Sequence, residues 1–279
     1  MTFVNYPSGI APTNWPNTAI PQTTTILPHT TVIQTQTTVK QTPSLGEAFK
    51  PKKAGKSTSH IIFVLDDSGS MQSCRDNTIS GFNEYLQAQK ADAVTSGIET
   101  FVSLYKFDGS SAKCTIDHVN VHDVEPLNHN TYNPRGGTNL LDAMGGVMMK
   151  INERLTTTKK AQRESVIITV LTDGEENSSR TFRNEDIKTM VEKAEAKNWG
   201  FMFLGANINA FHAGSALGFN MNNTIQYDTK ATANSIRAAS AMTSRMKSAY
   251  ASGMDTSMTY ASMGFTDMER SIAVTEDDK

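Results

Sequence analysis

Short unbroken apolar runs alternate with amphipathic stretches over the middle of this chain. Ile61-Ile62-Phe63-Val64-Leu65, Val166-Ile167-Ile168-Thr169-Val170-Leu171 and Phe201-Met202-Phe203-Leu204-Gly205 are each strand-length and apolar on both alternations. That pattern predicts strands buried on both faces of a parallel sheet. Between them, Ile79, Phe82 and Leu86 recur at helical spacing within residues 74–90. Leu141, Met144, Val147, Met148, Ile151 and Leu155 do the same, as do Ile187, Met190, Val191 and Ala194 within 184–198. Residues 100–107 and 113–121 read as a hairpin around Asp108-Gly109-Ser110-Ser111. A short helix near 210–217, an edge strand near 223–227 and a helix over 229–251 complete the series. Alternating strands and helices predict an α/β, doubly wound, mostly parallel central sheet with one antiparallel edge strand and helices on both faces.

The flanks differ from this middle. Residues 1–57 are rich in Thr, Pro, Gln and Asn, nearly uncharged before Lys40, and end in a basic linker. Such a stretch buries too little to offset its conformational entropy and reads as a flexible arm. Within it, residues 30–39 have high β propensity and no proline, so adding as a strand to a partner's sheet edge is the alternative. The domain is placed at 58–251. Residues 252–279, rich in Ser, Met and Asp, read as a flexible tail.

Composition narrows the function. Hydrophobic residues are 38% of the chain, low for a fully packed protein, which agrees with unpacked flanks. A net charge of −2 gives no field to attract nucleic acid. No apolar run reaches the ~20 residues that cross a bilayer, and the N-terminus lacks the pattern of a signal peptide. These features predict a cytoplasmic protein with no membrane partner. Cys74 and Cys114 read as ordinary small residues without a disulfide.

The candidate chemistry lies just after the buried strands, where ligands bind in open α/β sheets. Asp66-Asp67-Ser68-Gly69-Ser70 follows the first strand and Thr172-Asp173-Gly174-Glu175-Glu176-Asn177 follows the second long apolar run. Arg135-Gly136-Gly137-Thr138-Asn139 sits between them, before a helix. Hydroxyls and carboxylates select hard cations, and neither His nor Cys belongs to the group, which disfavours zinc.

Asp66, Ser68, Ser70, Thr138 and Asp173 together resemble the metal-ion-dependent adhesion site of the von Willebrand factor A (vWA) family, over roughly residues 59–228. Asp-x-Ser-x-Ser alone is a weak signal; the ordered set at the ends of predicted elements is specific. The stretches Ser80-Gly81-Phe82-Asn83, Thr172-Asp173-Gly174-Glu175-Glu176-Asn177 and Leu204-Gly205-Ala206-Asn207-Ile208-Asn209-Ala210 are similar to small stand-alone vWA proteins of bacteria and phages. The resemblance implies a Rossmann-like fold and a bound Mg²⁺, or another divalent cation such as Mn²⁺ or Ca²⁺. It implies direct ligation by Ser68 and Ser70, and by Thr138 directly or through water. Asp66 and Asp173 would act mainly through waters or hydrogen bonds. It further implies a coordination position completed by an Asp or Glu of a partner protein. An AAA+ ATPase is one partner class this suggests. The alternative is a structural or adhesive component of a phage particle that uses the arm to bind a neighbour. Oligomeric state is not legible.

Other signals carry less. Ala54-Gly55-Lys56-Ser57 lacks the first glycine and the strand of a phosphate-binding loop. His118 and His122 lack a third ligand nearby in sequence and read as surface or loop residues. Asp67, Glu175 and Glu176 read as solvated carboxylates at the rim, and Arg75, Arg135 and Arg180 as groups that could pair with a partner's acids. Ser68 and Ser70 have no identifiable base, so an enzyme is not expected.

Overall fold

The computed structural model describes residues 58–157, 164–206 and 208–274. The expected arm, 1–57, lies outside the described residues. Six strands form one sheet: β1 (Thr58–Asp66), β2 (Glu99–Phe107), β3 (Ala112–Asn120), β4 (Ser165–Thr172), β5 (Trp199–Ala206) and β6 (Thr224–Tyr227). Their order is β3-β2-β1-β4-β5-β6. All neighbours are parallel except β2 and β3, which form the antiparallel hairpin at one edge. The fold class read from the sequence is therefore the observed one.

Side-chain alternation along the strands divides the core in two. Ile61, Phe63 and Leu65 of β1 face one layer, with Met202 and Leu204 of β5. That layer is covered by α1 (Arg75–Ser96) and α5 (Thr232–Ala251). Phe63 meets Phe82 edge-on at 5.3 Å and Tyr85 at 5.4 Å, contacts worth about 0.5–1.5 kcal/mol each beyond their burial. Ile62, Val64, Ile168, Val170, Phe201 and Phe203 face the other layer. Helices α2 (Leu140–Thr157), α3 (Asn184–Glu195) and α4 (Ala210–Ala216) cover it. Strand β3 has no such double cover and its residues alternate between half-buried and exposed.

The region after Ser252 departs from the sequence expectation of a flexible tail. It forms α6 (Thr256–Met263) and α7 (Asp267–Ile272), and Tyr260, Phe265 and Ala273 are buried. Residues 275–279 lie outside the described part. The Tyr260 hydroxyl accepts a 2.8 Å hydrogen bond from Phe201 N. The Phe265 N–H donates to the Asn222 carbonyl at 2.9 Å, and Asp228 N donates to the Ala273 carbonyl at 3.0 Å. Arg270 donates to the carbonyls of Met221, Asn222 and Thr224, so the last segment covers the β6 side of the sheet. Each helix has its own cap: Asp255 for α6, and a reciprocal Thr266–Glu269 capping box for α7. A few well-placed residues hold this segment, although its mean composition is that of a loop.

Candidate metal centre

Strand order reverses at β1, with β2 on one side and β4 on the other, so the carboxyl ends of β1 and β4 flank a crevice. Asp66 closes β1, and Asp173 follows Thr172, the last residue of β4. The structure brings Asp66, Ser68, Ser70, Thr138 and Asp173 together there. Ser68 Oγ and Ser70 Oγ are 3.1 Å apart. Ser70 Oγ donates to Asp173 Oδ1 at 2.5 Å. A methyl group built on Gly174 would lie 3.2 Å from Thr138 Oγ1 and 3.5 Å from Ser70 Oγ. Both hydroxyls therefore border the space in front of Gly174. Asp66, Ser68, Thr138 and Asp173 are buried, whereas Ser70 is exposed.

Backbone hydrogen bonds stitch the three loops into one rim. Gly69 N donates to the Gly136 carbonyl at 3.0 Å, and Arg135 N donates to the Asp67 carbonyl at 2.6 Å. Gly136 has φ +81°, a conformation glycine reaches without penalty. Asn177 grips the third loop from both sides: its N–H donates to the Thr138 carbonyl at 3.0 Å and its Oδ1 accepts from Thr138 N at 3.0 Å. Glu176, read from sequence as a rim carboxylate, accepts from the N–H groups of Leu141, Ser178 and Ser179 and so caps the start of α2. Glu175 is exposed, and Asp67 instead pairs with Lys106 at 3.3 Å. Arg75 is committed to the carbonyls of His129 and Tyr132, whereas Arg135 and Arg180 are exposed near the crevice.

Asp66 is fixed at both oxygens. Its Oδ1 accepts from Ser68 N at 2.8 Å and its Oδ2 accepts from Thr172 Oγ1 at 2.6 Å. Tyr132 OH donates to the Asp66 carbonyl at 2.7 Å. Sequence reasoning did not single out Thr172, Asn177 or Tyr132. The first two lie inside quoted motifs, so position in the loop was the signal available.

Burial pushes the Asp66 carboxyl up to about 6, against the hydrogen bonds from Thr172 and Ser68, and the charge of Asp173 adds to the rise. Burial also raises Asp173, against the bond from Ser70. Two buried carboxylates at one crevice each favour a nearby cation. Asp173 Oδ2 is buried and accepts no hydrogen bond. An orphaned carboxylate oxygen beside three hydroxyls is an all-oxygen donor set that fits a hard divalent ion.

A second cluster lies at the other end of β1. The rings of His60 and His118 meet edge-on at 4.7 Å, and both face Glu164, just before β4. With Glu164 they form a group able to hold a metal ion. Burial lowers His60 well below its usual value, and lowers His118 to about 4 with help from the Arg154 charge. The sequence reading took His118, like His122, for a surface or loop residue, whereas it packs against His60 and Glu164. They are distant in sequence and no local spacing announces them. Cys74 and Cys114 are both free thiols, as expected.

No protein-family model matches this chain, and no curated protein matches it. Solved structures do. The pilus adhesin SpaC of Lactobacillus rhamnosus GG aligns with a TM-score of 0.50 at 13% identity, over 68% of this chain and 31% of the adhesin. Manganese-loaded TRAP of Plasmodium vivax aligns at 0.43 and 15% identity, over 62% of this chain and 70% of that one. The SpRpn10 VWA domain aligns at 0.38 and 10% identity, over 60% and 86%. The chain spans less than half the length of the proteins first matched. The described residues form a vWA-like domain.

Proposed function

We propose that this chain is a metal-dependent protein-binding module whose cation sits between Asp66, Ser68, Ser70, Thr138 and Asp173. The observation that carries this reading is the buried, unpartnered Asp173 Oδ2 beside converging hydroxyls. Mg²⁺ is the ion we assign, because an oxygen-only set that leaves room for water suits it. When bound, the ion supplies a positive centre to attract an anionic ligand. Ser68, Ser70 and Thr138 contribute neutral oxygens to it, so its charge stays only partly neutralised by the carboxylates. Asp66 is held too firmly by Ser68 and Thr172 to reach far, and serves to orient Ser68. Asp173 holds the Ser70 hydroxyl in place.

A carboxylate from a partner's Asp or Glu is the ligand this arrangement suits. Arg135 and Arg180 are exposed nearby and can pair with further acidic groups. We infer no catalysis here. The two serine hydroxyls engage each other and Asp173, a geometry for positioning rather than for nucleophilic attack. Among the described residues no helix is long and apolar enough to cross a membrane.

The test is affinity capture on the immobilised full chain in Mg²⁺ and in EDTA, with the Asp173→Ala variant beside it. A protein retained only in Mg²⁺, lost with the variant and released by free aspartate supports the reading. Identical capture under all conditions overturns it.

A further inference from the structure

The hairpin edge contains a local irregularity at a chemically loaded place. Val102 pairs with Val119 and Leu104 with Ile116, so Asp117 and His118 both stand opposite Ser103. This is a β-bulge, and His118 takes φ +51° within it. Bulges re-aim side chains, and a non-glycine residue rarely adopts this backbone conformation. Here the bulge turns the His118 ring inward. It stacks on Phe101 at 4.2 Å and places Nε2 3.0 Å from Glu164 Oε2.

His60 approaches the same carboxylate from β1, with Nδ1 3.6 Å from Glu164 Oε1. Its other nitrogen, Nε2, is 2.8 Å from Ser103 Oγ, which also accepts from His118 N at 2.8 Å. Ser103 therefore anchors Nε2, and Nδ1 faces the carboxylate and the Arg154 guanidinium. A cation placed beside the carboxylate is attracted to it, and a neutral imidazole nitrogen can serve as a further donor. One ligand atom from each of His60, His118 and Glu164 lies within 4.8 Å of the others. Bonds of ~2.0–2.1 Å in a tetrahedral shell put ligands about 3.3 Å apart. His118 Nε2 lies 3.0 Å from Glu164 Oε2 and His60 Nδ1 3.6 Å from the other oxygen, Oε1, on either side of that value.

We propose that His60, His118 and Glu164 form a second, nitrogen-rich cation site for Zn²⁺ or a similar borderline transition metal. Asp66 lies six residue steps along β1 from His60, roughly 20 Å, so this site is distinct from the oxygen-lined crevice. Two imidazoles and one carboxylate are a common zinc donor set, with water as fourth ligand. The site would tie the edge hairpin, β1 and the start of β4 together. Arg154, at the end of α2, contacts Glu164 Oε1 and lies 3.4 Å from His60 Nδ1. It is the resident cation of the metal-free state. Its side chain is 30% exposed, so it can turn outward when a metal enters.

The test titrates Co²⁺, then Zn²⁺, into the full chain kept in excess Mg²⁺, following the visible absorption of four-coordinate cobalt. The expected result is a cobalt band in the natural chain that one equivalent of Zn²⁺ abolishes. His118→Ala and Glu164→Gln should lose the band while remaining folded by circular dichroism. Asp173→Asn should keep it, which separates this site from the crevice. Arg154→Gln should bind at least several-fold tighter, because a competing charge is removed. The proposal is overturned by absence of a band in the natural chain, even if Arg154→Gln shows one. A band that survives His118→Ala overturns it equally.

Discussion

Ser70 Oγ donates a 2.5 Å hydrogen bond to Asp173 Oδ1, joining loops 103 residues apart in sequence. That contact links the ends of β1 and β4 across the crevice and leaves Asp173 Oδ2 free for a cation. In Mg²⁺ at ~100 times its dissociation constant, the chain should gain about 2.7 kcal/mol of unfolding free energy. Asp173→Asn should lose most of that gain. Gly174→Ala should fold normally without metal yet bind it at least about tenfold more weakly, since the new methyl enters the space bordered by Thr138 and Ser70. Thermal melts with and without Mg²⁺ check both. Equal metal-linked shifts in all three proteins would move the ion elsewhere.

Thr172 is the support for Asp66, donating to Oδ2 in a fully buried environment. Thr172→Val keeps the shape but strands that acceptor. It should cost about 1–3 kcal/mol in the absence of metal, measured by urea unfolding. A change below about 0.5 kcal/mol would mean that water replaces the hydroxyl.

Two adjacent glycines in α2 give a matched pair. A methyl on Gly145 would lie 2.5–2.7 Å from the Phe182 ring, while one on Gly146 meets nothing within 4 Å. Gly146→Ala should stabilise by about 0.5–1 kcal/mol through helix propensity. Gly145→Ala should destabilise by about 1–3 kcal/mol despite the same propensity gain, because Phe182 is buried and must move. Denaturant midpoints of the two variants should shift in opposite directions.

The last helix should respond to acid. Arg245 grips Glu269 at 2.7 and 2.8 Å. Burial alone would raise the Glu269 carboxyl, but the Arg245 and Thr266 hydrogen bonds carry it below its usual 4.5. A carboxyl lowered in the folded state contributes stability above about pH 4.5, and that contribution fades as pH falls through the lowered value. Glu269→Gln should remove this acid-dependent component. Protection factors at α7, with the intrinsic pH dependence of exchange divided out, should then fall less below about pH 4.5 than in the natural chain.

Much of the sheet and its crevice was legible because both follow periodic rules. Ile61 to Leu65 announced a doubly buried strand, and Asp66, Ser68 and Ser70 followed where such strands place ligands. The tail was not legible, because Tyr260, Phe265 and Ala273 are too sparse to make a pattern and act through single contacts. His118 was misread for another reason. A bulge breaks the two-residue alternation that sequence reading assumes, so a residue read as lying on the surface or in a loop turns toward His60 and Glu164.

The covering of β6 by the final helices leaves the two margins of the sheet unequal. Among the described residues, the β3 margin offers its outer backbone groups to an incoming strand, whereas at the β6 margin Arg270 already occupies the carbonyls of Met221, Asn222 and Thr224. Two copies that met through β3 would each turn the β6 margin, with the C-terminal segment against it, to the outside of the joined sheet.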